Sequence, residues 1–212
     1  GDLVKAPLVI NLVDSNPPNF DVDLPPITLT EDAFINGAAV VGESRFVVKH
    51  GVDPLLVDSL VFSNQNSTLT TLNGSGLASD GHPLTFEFAD DRTLVGYYLD
   101  GSGQRVEVLR AELNVQQQGS DLAGRVVVTL TGPLDHQGSD TLSLGLQVSA
   151  NEIDGDSTSA NLTLTVNDGS DPALGIDKGV ALQEGDNQSI DGQLPVTVGS
   201  DRLVSLNFEA NQ

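Results

Sequence analysis

The chain has 212 residues, of which thirty are acidic and nine basic, so its formal net charge at pH 7 is −21. Like charges repel, and this balance disfavours nucleic acid and anionic membrane surfaces as partners while it makes multivalent cations the natural counterions. The chain contains no cysteine, which excludes disulfides, thiolate metal sites and cysteine nucleophiles.

Hydrophobic residues make up 38% of the chain and aromatic residues only 4%, so the predicted core is mainly aliphatic. Short runs rich in valine and leucine, separated by polar turn-forming residues, are typical of strands. No apolar run reaches the roughly 20 residues needed to cross a bilayer, and no positively charged start precedes an apolar stretch. We therefore expect neither a membrane span nor a signal peptide in this sequence, and any export signal is expected outside it.

The first predicted strand covers residues 8–13, where apolar side chains occupy alternate positions. A linker at 14–26 follows it, and four prolines remove backbone donors there and stiffen the segment. The linker also carries Asp14, Asp21 and Asp23. A flexible hinge would be rich in glycine and serine instead, so we expect a stiff, acidic joint.

From residue 27 onward the sequence predicts nine more strands, near 27–30, 45–49, 58–63, 84–89, 93–99, 105–116, 124–131, 141–149 and 159–167. Asn-Gly and Asp-Gly pairs, which favour tight turns, separate several of them. Strands at this density, without a longer helical periodicity, favour an all-β fold and an antiparallel β-sandwich. The segment 106–117 is ambiguous, because its sequence also suits a short helix.

An internal repeat runs through the chain. The run ANLTLTVNDGSDP at 160–172 repeats the alternation of APLVINLVDSNPP at 6–18, and residues 180–184 echo residues 27–31 at nearly the same spacing. The sequence therefore predicts three parts: 1–26 as the last strand of a preceding copy plus a linker, 27–172 as one complete sandwich, and 173–212 as a linker plus the opening strands of a following copy.

Two outcomes are open for the incomplete copies. Residues 3–14 and 174–212 are complementary parts of one sandwich, so they could exchange strands within a chain or between neighbouring chains. The alternative is that both segments are frayed and have no partner.

The residues predicted to bind a metal ion lie in acidic turns. Calcium takes six to eight oxygen ligands at about 2.3–2.6 Å, which carboxylates and carbonyls supply. Because the strand at 159–167 leads toward the following copy, the loop before it at 150–158 is expected at the opposite pole, facing the incoming linker. The carboxylates expected to converge there and to be clamped by calcium are Glu152, Asp154, Asp156, Asp14, Asp21 and Asp23.

By the same reasoning Asp168, Asp171 and Asp177 form half of the next joint, whose completing loop belongs to another copy. Glu31 and Asp32 are further candidates without an assigned pole. The alternative for all of these residues is a set of solvated acidic turns, since Asp-Gly pairs form turns without any metal.

Three stretches resemble motifs of one family of proteins. They are Gly-Pro-Leu-Asp-His at 132–136, the acidic loop at 151–157 and Val-x-Asp-x-x-x-Pro at 166–172. They resemble the long repeat domain of giant adhesins exported by type I secretion, the repeats-in-toxin and biofilm-associated surface proteins of Gram-negative bacteria. Asn151 and Glu152 stand where that family has an aspartate, so one ligand here is longer, neutral or missing.

The resemblance covers nearly the whole chain and implies an Ig-like or cadherin-like sandwich. It implies a calcium-rigidified extender at the bacterial cell surface, which projects distant ligand-binding domains for adhesion and biofilm formation. Its partners would then be neighbouring repeats of the same adhesin.

No motif typical of an enzyme is present, whether Gly-x-Ser-x-Gly, a phosphate-binding loop or a pair of zinc-binding histidines. We therefore expect no catalysis and assign no catalytic residue. His50, His82 and His136 have polar or turn neighbours and are expected at the surface. His136 also lies in the family-like motif, where we expect Asp135 to orient it by a hydrogen bond in a structural role.

The alternative function is a calcium-dependent glycan- or peptide-binding adhesin module. Tyr97 and Tyr98 are the only tyrosines, and in a strand one of them faces outward near Asp100, where it could form a platform for a sugar. An outward tyrosine on a strand is also ordinary. A glycan array separates the two hypotheses, because an extender should bind nothing on it.

Overall fold

The computed structural model describes residues 9–10, 16–175, 193–200, 203 and 205–207. Within these residues, two β-sheets enclose one core of mainly aliphatic side chains, which confirms the predicted all-β sandwich. None of the described helices is long and apolar enough to cross a membrane.

The strands are β1 (Asn19–Phe20), β2 (Ile27–Thr30), β3 (Val40–Lys49), β4 (Val61–Phe62), β5 (Ala78–Ser79), β6 (His82–Pro83), β7 (Thr85–Asp90), β8 (Thr93–Leu99), β9 (Arg105–Gln118), β10 (Asp121–Leu130), β11 (Thr141–Asn151), β12 (Ser157–Asn167), β13 (Ala173–Leu174) and β14 (Val196–Thr197). The α-helix α1 is Gln65–Gly74, and two short 3-10 helices cover Glu31–Asn36 and Val57–Ser59.

The larger sheet has the strand order β1-β3-β10-β9-β8-β7, and the smaller one has the order β2-β12-β11-β4. Neighbours in these sheets run antiparallel except β2 and β12, which are parallel. The parallel pair requires a long crossover, and β3 to β11 lie between the two strands in sequence. It also brings the ends of β2 and β12 to the same end of the sandwich.

Burial alternates along the strands, as expected for strands with one face on the core. In β12, Leu162, Leu164 and Val166 are at most 2% exposed, while the residues between them face outward or are half-buried. Each such side chain contributes about 1.5–3 kcal/mol by leaving water. The repeated alternation is therefore what fixes the register of each strand.

Every strand predicted between residues 27 and 167 has a counterpart in the structure. The ambiguous segment 106–117 lies within β9 and is not helical. Helix α1 was not predicted. Of the first predicted strand, 8–13, only Val9 and Ile10 are described, and both are exposed and outside any strand.

We call the two ends of the sandwich the entry pole and the exit pole. The entry pole contains the end of β3 and the β9–β10 turn, which the registers of the larger sheet bring together. It also contains the β11–β12 loop of the smaller sheet, because Gly51 bonds to that loop, Leu55 pairs with it, and Leu55 also bonds Ser120 of the β9–β10 turn. The exit pole contains the ends of β2, β10 and β12 and the start of β11.

The linker forms the edge strand of the larger sheet. Within it, Asn19 pairs with Lys49 and Phe20 pairs with Val48. The N–H of Asp21 then donates to the carbonyl of Val47 at 3.0 Å. Sheet pairing therefore restrains the linker in addition to its prolines.

The same pairing recurs farther along the chain. Ala173 pairs with Thr197, so the linker strand is displaced by 154 residues (19 to 173) and its partner by 148 (49 to 197). The N–H of Gly175 donates to the carbonyl of Pro195 at 2.7 Å, which repeats the bond made by Asp21 with the same displacements. β13 and β14 thus repeat, within one chain, the pairing of β1 with β3.

A glycine contact recurs in both copies as well. A Cβ on Gly51 would lie 1.7 Å from the carbonyl oxygen of Asn16, and a Cβ on Gly199 would lie 2.0 Å from that of Ser170. In each copy the linker backbone therefore packs directly against a glycine. These recurrences support the internal repeat, while the limits of its parts at 26/27 and 172/173 stay a prediction.

Candidate metal sites at the two poles

The β11–β12 loop closes on itself at the entry pole. The N–H of Gly155 donates to the carbonyl of Glu152 at 3.2 Å, and the N–H of Glu152 donates to the carbonyl of Asp156 at 2.8 Å. Gly155 has φ +108°, a conformation that favours glycine. The turn leaves Asp154 exposed, Asp156 half-buried and Glu152 at its base.

Glu152 is buried, with only 1% of its surface exposed. Its Oε1 accepts a hydrogen bond from the backbone N–H of Gly51. Its Oε2 is also buried and has no hydrogen-bond partner within the part of the chain that the structure describes. Burial of a carboxylate is unfavourable unless a proton or a cation compensates it. Glu152 is therefore the strongest candidate ligand at the entry pole.

The incoming linker reaches the same pole. Gly51 binds Glu152 through its N–H and packs against the carbonyl of Asn16 through its Cα. The loop at 150–158 and the first described residues of the linker are thus joined through a single glycine. The contacts of Gly51 therefore lie where the sequence predicts a joint between the linker and the loop.

The other linker carboxylates lie apart from the loop. Asp21 and Asp23 are exposed and follow the edge of the larger sheet, beyond the β1–β3 pair. With the loop residues they form no group of three ligand atoms within 4.8 Å; among the described residues one such group exists, at the exit pole. Asp14 lies outside the described residues.

The group at the exit pole consists of one histidine and two carboxylates, Glu31, His136 and Asp168, each with a ligand atom within 4.8 Å of the others. Glu31 is fully buried, and its Oε1 accepts the N–H of Leu134 at 2.9 Å. The Nε2 atom of His136 lies 3.6 Å from the same oxygen. Asp168 follows β12 directly and is half-buried.

Two expectations about His136 are wrong. The residue is buried, with 6% of its surface exposed, because the motif turns its ring into the exit pole. Asp135 does not orient it, since the Asp135 carboxylate accepts the N–H of Gly81 at 2.9 Å. The ring instead faces the carbonyl of Ser139, 3.1 Å from Nδ1. His50 and His82 are exposed, as expected.

Asp32 and Ser170 bind the exit pole to the segment that follows β12, residues 168–175, which we call the outgoing linker. Asp32 Oδ1 accepts the hydroxyl and the N–H of Ser170, both at 2.8 Å, and these two bonds lower the pKa of Asp32. The N–H of Ser200 donates to the carbonyl of Ser170 at 2.9 Å, so the following copy contacts the same residue. Asp171 is exposed, and Asp177 lies outside the described residues.

The tyrosine platform of the alternative hypothesis is partly covered. The guanidinium of Arg105 lies 3.7 Å from the centre of the Tyr97 ring, and His82 stacks on Tyr98 with 4.6 Å between ring centres. Asp100 Oδ1 accepts three hydrogen bonds within its own turn. Both rings and the Asp100 carboxylate thus have partners within the protein.

The sequence named Glu31 without a pole and did not identify His136 as a ligand. The direction of two strands could have shown that these ligands are close. Glu31 is the residue directly after β2, and Asp168 is the residue directly after β12. Two parallel neighbouring strands end side by side, so their following residues meet. Only the pairing of β2 with β12 shows that this applies here.

Comparison with known protein families finds no match, and no characterised protein or solved structure matches the chain either.

Proposed function

We propose that this chain is a structural extender module of a large bacterial surface adhesin, stiffened by calcium at the joint between copies. One observation carries the proposal: the buried Glu152 carboxylate lies beside the incoming linker, with one oxygen unpaired among the described residues. A divalent ion at this place would compensate the buried charge and fasten the linker to the module.

The proposed calcium ligands belong to the β11–β12 loop. Glu152 supplies the innermost oxygen, and Asp154 and Asp156 supply carboxylates from the same loop. Asp14 lies outside the described residues and stays a candidate from the sequence alone. Asp21 and Asp23 follow the sheet edge and are left out of this set. Together with the net charge of −21, the set favours a hard, multivalent cation.

A mechanical role also agrees with how the linkers are held. Both copies dock the linker by strand pairing and by a glycine contact, so the joint is restricted before any ion binds. A cation then adds a side-chain clamp to these backbone contacts. The resemblance of the sequence motifs favours an extracellular location, export by type I secretion and a role in adhesion and biofilm formation.

The proposal predicts a calcium-dependent melting temperature. Calcium that binds the folded joint and not the unfolded chain stabilises it by about 2.7 kcal/mol at a hundredfold excess over Kd. We expect calorimetry to show a higher melting temperature in millimolar calcium than in chelator. Replacement of both Asp154 and Asp156 by asparagine should remove most of this difference.

The matched control removes two carboxylates at the other pole. Asp80→Asn with Asp140→Asn changes the net charge equally, and both residues are exposed near the exit pole. This variant should keep the full calcium effect at the entry pole. Identical melting curves with calcium and with chelator would contradict the proposal.

A further inference from the structure

We propose that the exit pole binds a divalent transition metal ion of the zinc class through His136, Glu31 and Asp168. This site lies at the opposite pole from the proposed calcium site, and its existence does not depend on calcium there. Only its consequence for the joint, discussed below, rests on the proposed function.

The His136 ring offers one buried nitrogen as a ligand atom. Nδ1 lies 3.1 Å from the carbonyl oxygen of Ser139, which can only accept a hydrogen bond, so Nδ1 carries the proton. In the neutral ring Nε2 then has a free lone pair. This atom is buried on a side chain that is 3% exposed, and it has no hydrogen-bond partner among the described residues. A buried lone pair of this kind is available to bind a metal ion.

Glu31 lies at a suitable distance from His136 to be a second ligand of the same ion. Its Oε1 lies 3.6 Å from Nε2, which is too far for a hydrogen bond. Two ligands of one tetrahedral ion with bonds of about 2.1 Å are separated by about 3.4 Å. The two atoms are therefore spaced as ligands of a shared ion. Asp168 offers a third ligand atom within 4.8 Å of both.

Hydrogen bonds with the backbone hold both of these ligands in place. Histidines that bind metals usually donate their other N–H to a carbonyl or a carboxylate, which fixes the ring, and ligating carboxylates are themselves hydrogen-bonded. His136 has this support from the carbonyl of Ser139, and Glu31 has it from the N–H of Leu134. Both ligands are thus held in place before an ion arrives.

The donor atoms determine which ion fits. Calcium takes oxygen ligands, whereas a neutral imidazole suits zinc, copper, iron and nickel. The entry pole offers oxygen atoms from Glu152, Asp154 and Asp156, and the exit pole offers one nitrogen and two carboxylates. The two ends of one module therefore select different ions.

Metal binding at the exit pole would restrain the outgoing linker. Asp168 begins that linker, and two residues later Ser170 is bound by Asp32 and by Ser200. An ion that joins Asp168 to Glu31 and His136 would hold the linker to the module at a further point. The joint would then respond to zinc as well as to calcium.

The test is a titration of the whole, chelator-treated chain with zinc, followed by calorimetry. We expect one zinc ion to bind per chain and millimolar calcium not to displace it. His136→Gln and Asp168→Asn should each weaken binding at least tenfold, whereas His82→Gln, which alters an exposed histidine, should not. Cobalt in place of zinc should give visible absorption that His136→Gln changes.

Nuclear magnetic resonance of the wild-type chain supplies a readout that needs no variant. The Nε2 resonance of His136 should shift when zinc is added and should return when a chelator removes the zinc. No shift of this resonance, no zinc binding, or binding unchanged in a folded His136→Gln variant would each overturn the inference. The calcium effect on melting would remain in those cases, so the two proposals fail separately.

Discussion

Asp121 shows how a single carboxylate restrains the entry pole. Its Oδ1 lies 2.6 Å from Nδ1 of His50 and accepts the backbone N–H of the same residue at 3.0 Å. Its Oδ2 accepts Nζ of Lys49 at 3.0 Å. These hydrogen bonds, with the His50 side chain first, hold the pKa of Asp121 well below its usual range, and the same carboxylate raises the pKa of Lys49. The β9–β10 turn is thus fixed to the end of β3.

Replacing Asp121 by asparagine should therefore lower stability in a pH-dependent way. A depressed carboxyl pKa contributes stability above the unfolded-state value of about 3.9, and this contribution is lost as the pH falls through the folded-state value. We expect the variant to be about 1–2 kcal/mol less stable at pH 7. Urea denaturation should show this difference shrinking as the pH falls below about 4.

The control for this prediction is Asp80→Asn, which alters an exposed aspartate at φ +51°, a conformation that asparagine tolerates. Its stability should remain close to that of the wild type from pH 7 to pH 3. A difference between wild type and Asp121→Asn that stays constant down to pH 3 would contradict the assigned role of Asp121.

At the scale of elements, two phenylalanines pack over glycines on neighbouring strands. Phe46 in β3 is opposite Gly124 in β10, and Phe86 in β7 is opposite Gly96 in β8. A Cβ on Gly124 would come within 3.0 Å of three atoms of the Phe46 ring, and Gly96 is similarly close to Phe86. Each ring thus occupies the space above a glycine where a side chain would otherwise lie. In this way the few aromatic residues, 4% of the chain, help to fill the core.

Gly124→Ala should destabilise the larger sheet, because its methyl group would force the Phe46 ring out of place. Overpacking of this kind costs about 1–3 kcal/mol. Urea denaturation should show a lower midpoint for this variant. Gly145→Ala in β11 is the matched control, since a Cβ there meets nothing within 4 Å. Equal midpoints for the two variants would contradict this packing.

The strands could be predicted from the sequence and helix α1 could not, for one physical reason. Strands such as β11 and β12 alternate apolar and polar residues, whereas α1 has mostly polar residues and buries only Leu72. The side chain of Asn73 holds the helix to the sheet by bonding the N–H and the carbonyl of Phe86 at 2.7 and 3.1 Å. A contact with a residue 13 positions away decides this element, and no local pattern shows it.

The sequence likewise predicted one candidate site and missed the other. The sequence named Glu152 as a candidate ligand because its loop precedes the predicted strand at 159–167, and the structure buries this carboxylate at the entry pole. His136 and Glu31 are 105 positions apart and meet at the exit pole only through the tertiary fold. Local spacing does not contain that information, so the exit site required the fold.

At the scale of the whole molecule, the segment after β12 contacts the segment that carries β14 through backbone atoms. The carbonyl of Ser170 packs against Gly199 and accepts the N–H of Ser200. A methyl group on Gly199 would lie 2.0 Å from that carbonyl oxygen and would separate the two segments. The complete sandwich contributes none of its core to this contact.

Gly199→Ala should therefore loosen the joint without weakening the sandwich. We expect hydrogen exchange to accelerate at the amide of Ser200, which loses its acceptor, and at the amide of Ser170, which is bound to Asp32. Exchange in β10 and β12 should not change. Gly145→Ala should leave all of these amides as in the wild type, and unchanged protection in Gly199→Ala would contradict the joint described here.

The contact between Gly51 and Asn16 and that between Gly199 and Ser170 place no demand on the linker side chain. Asparagine occupies this position in one copy and serine in the other, yet the contact is the same. A contact made by backbone atoms alone tolerates many side chains at the linker position. The linker sequence can therefore change at this position while the segments on either side still dock, provided that the glycine is kept.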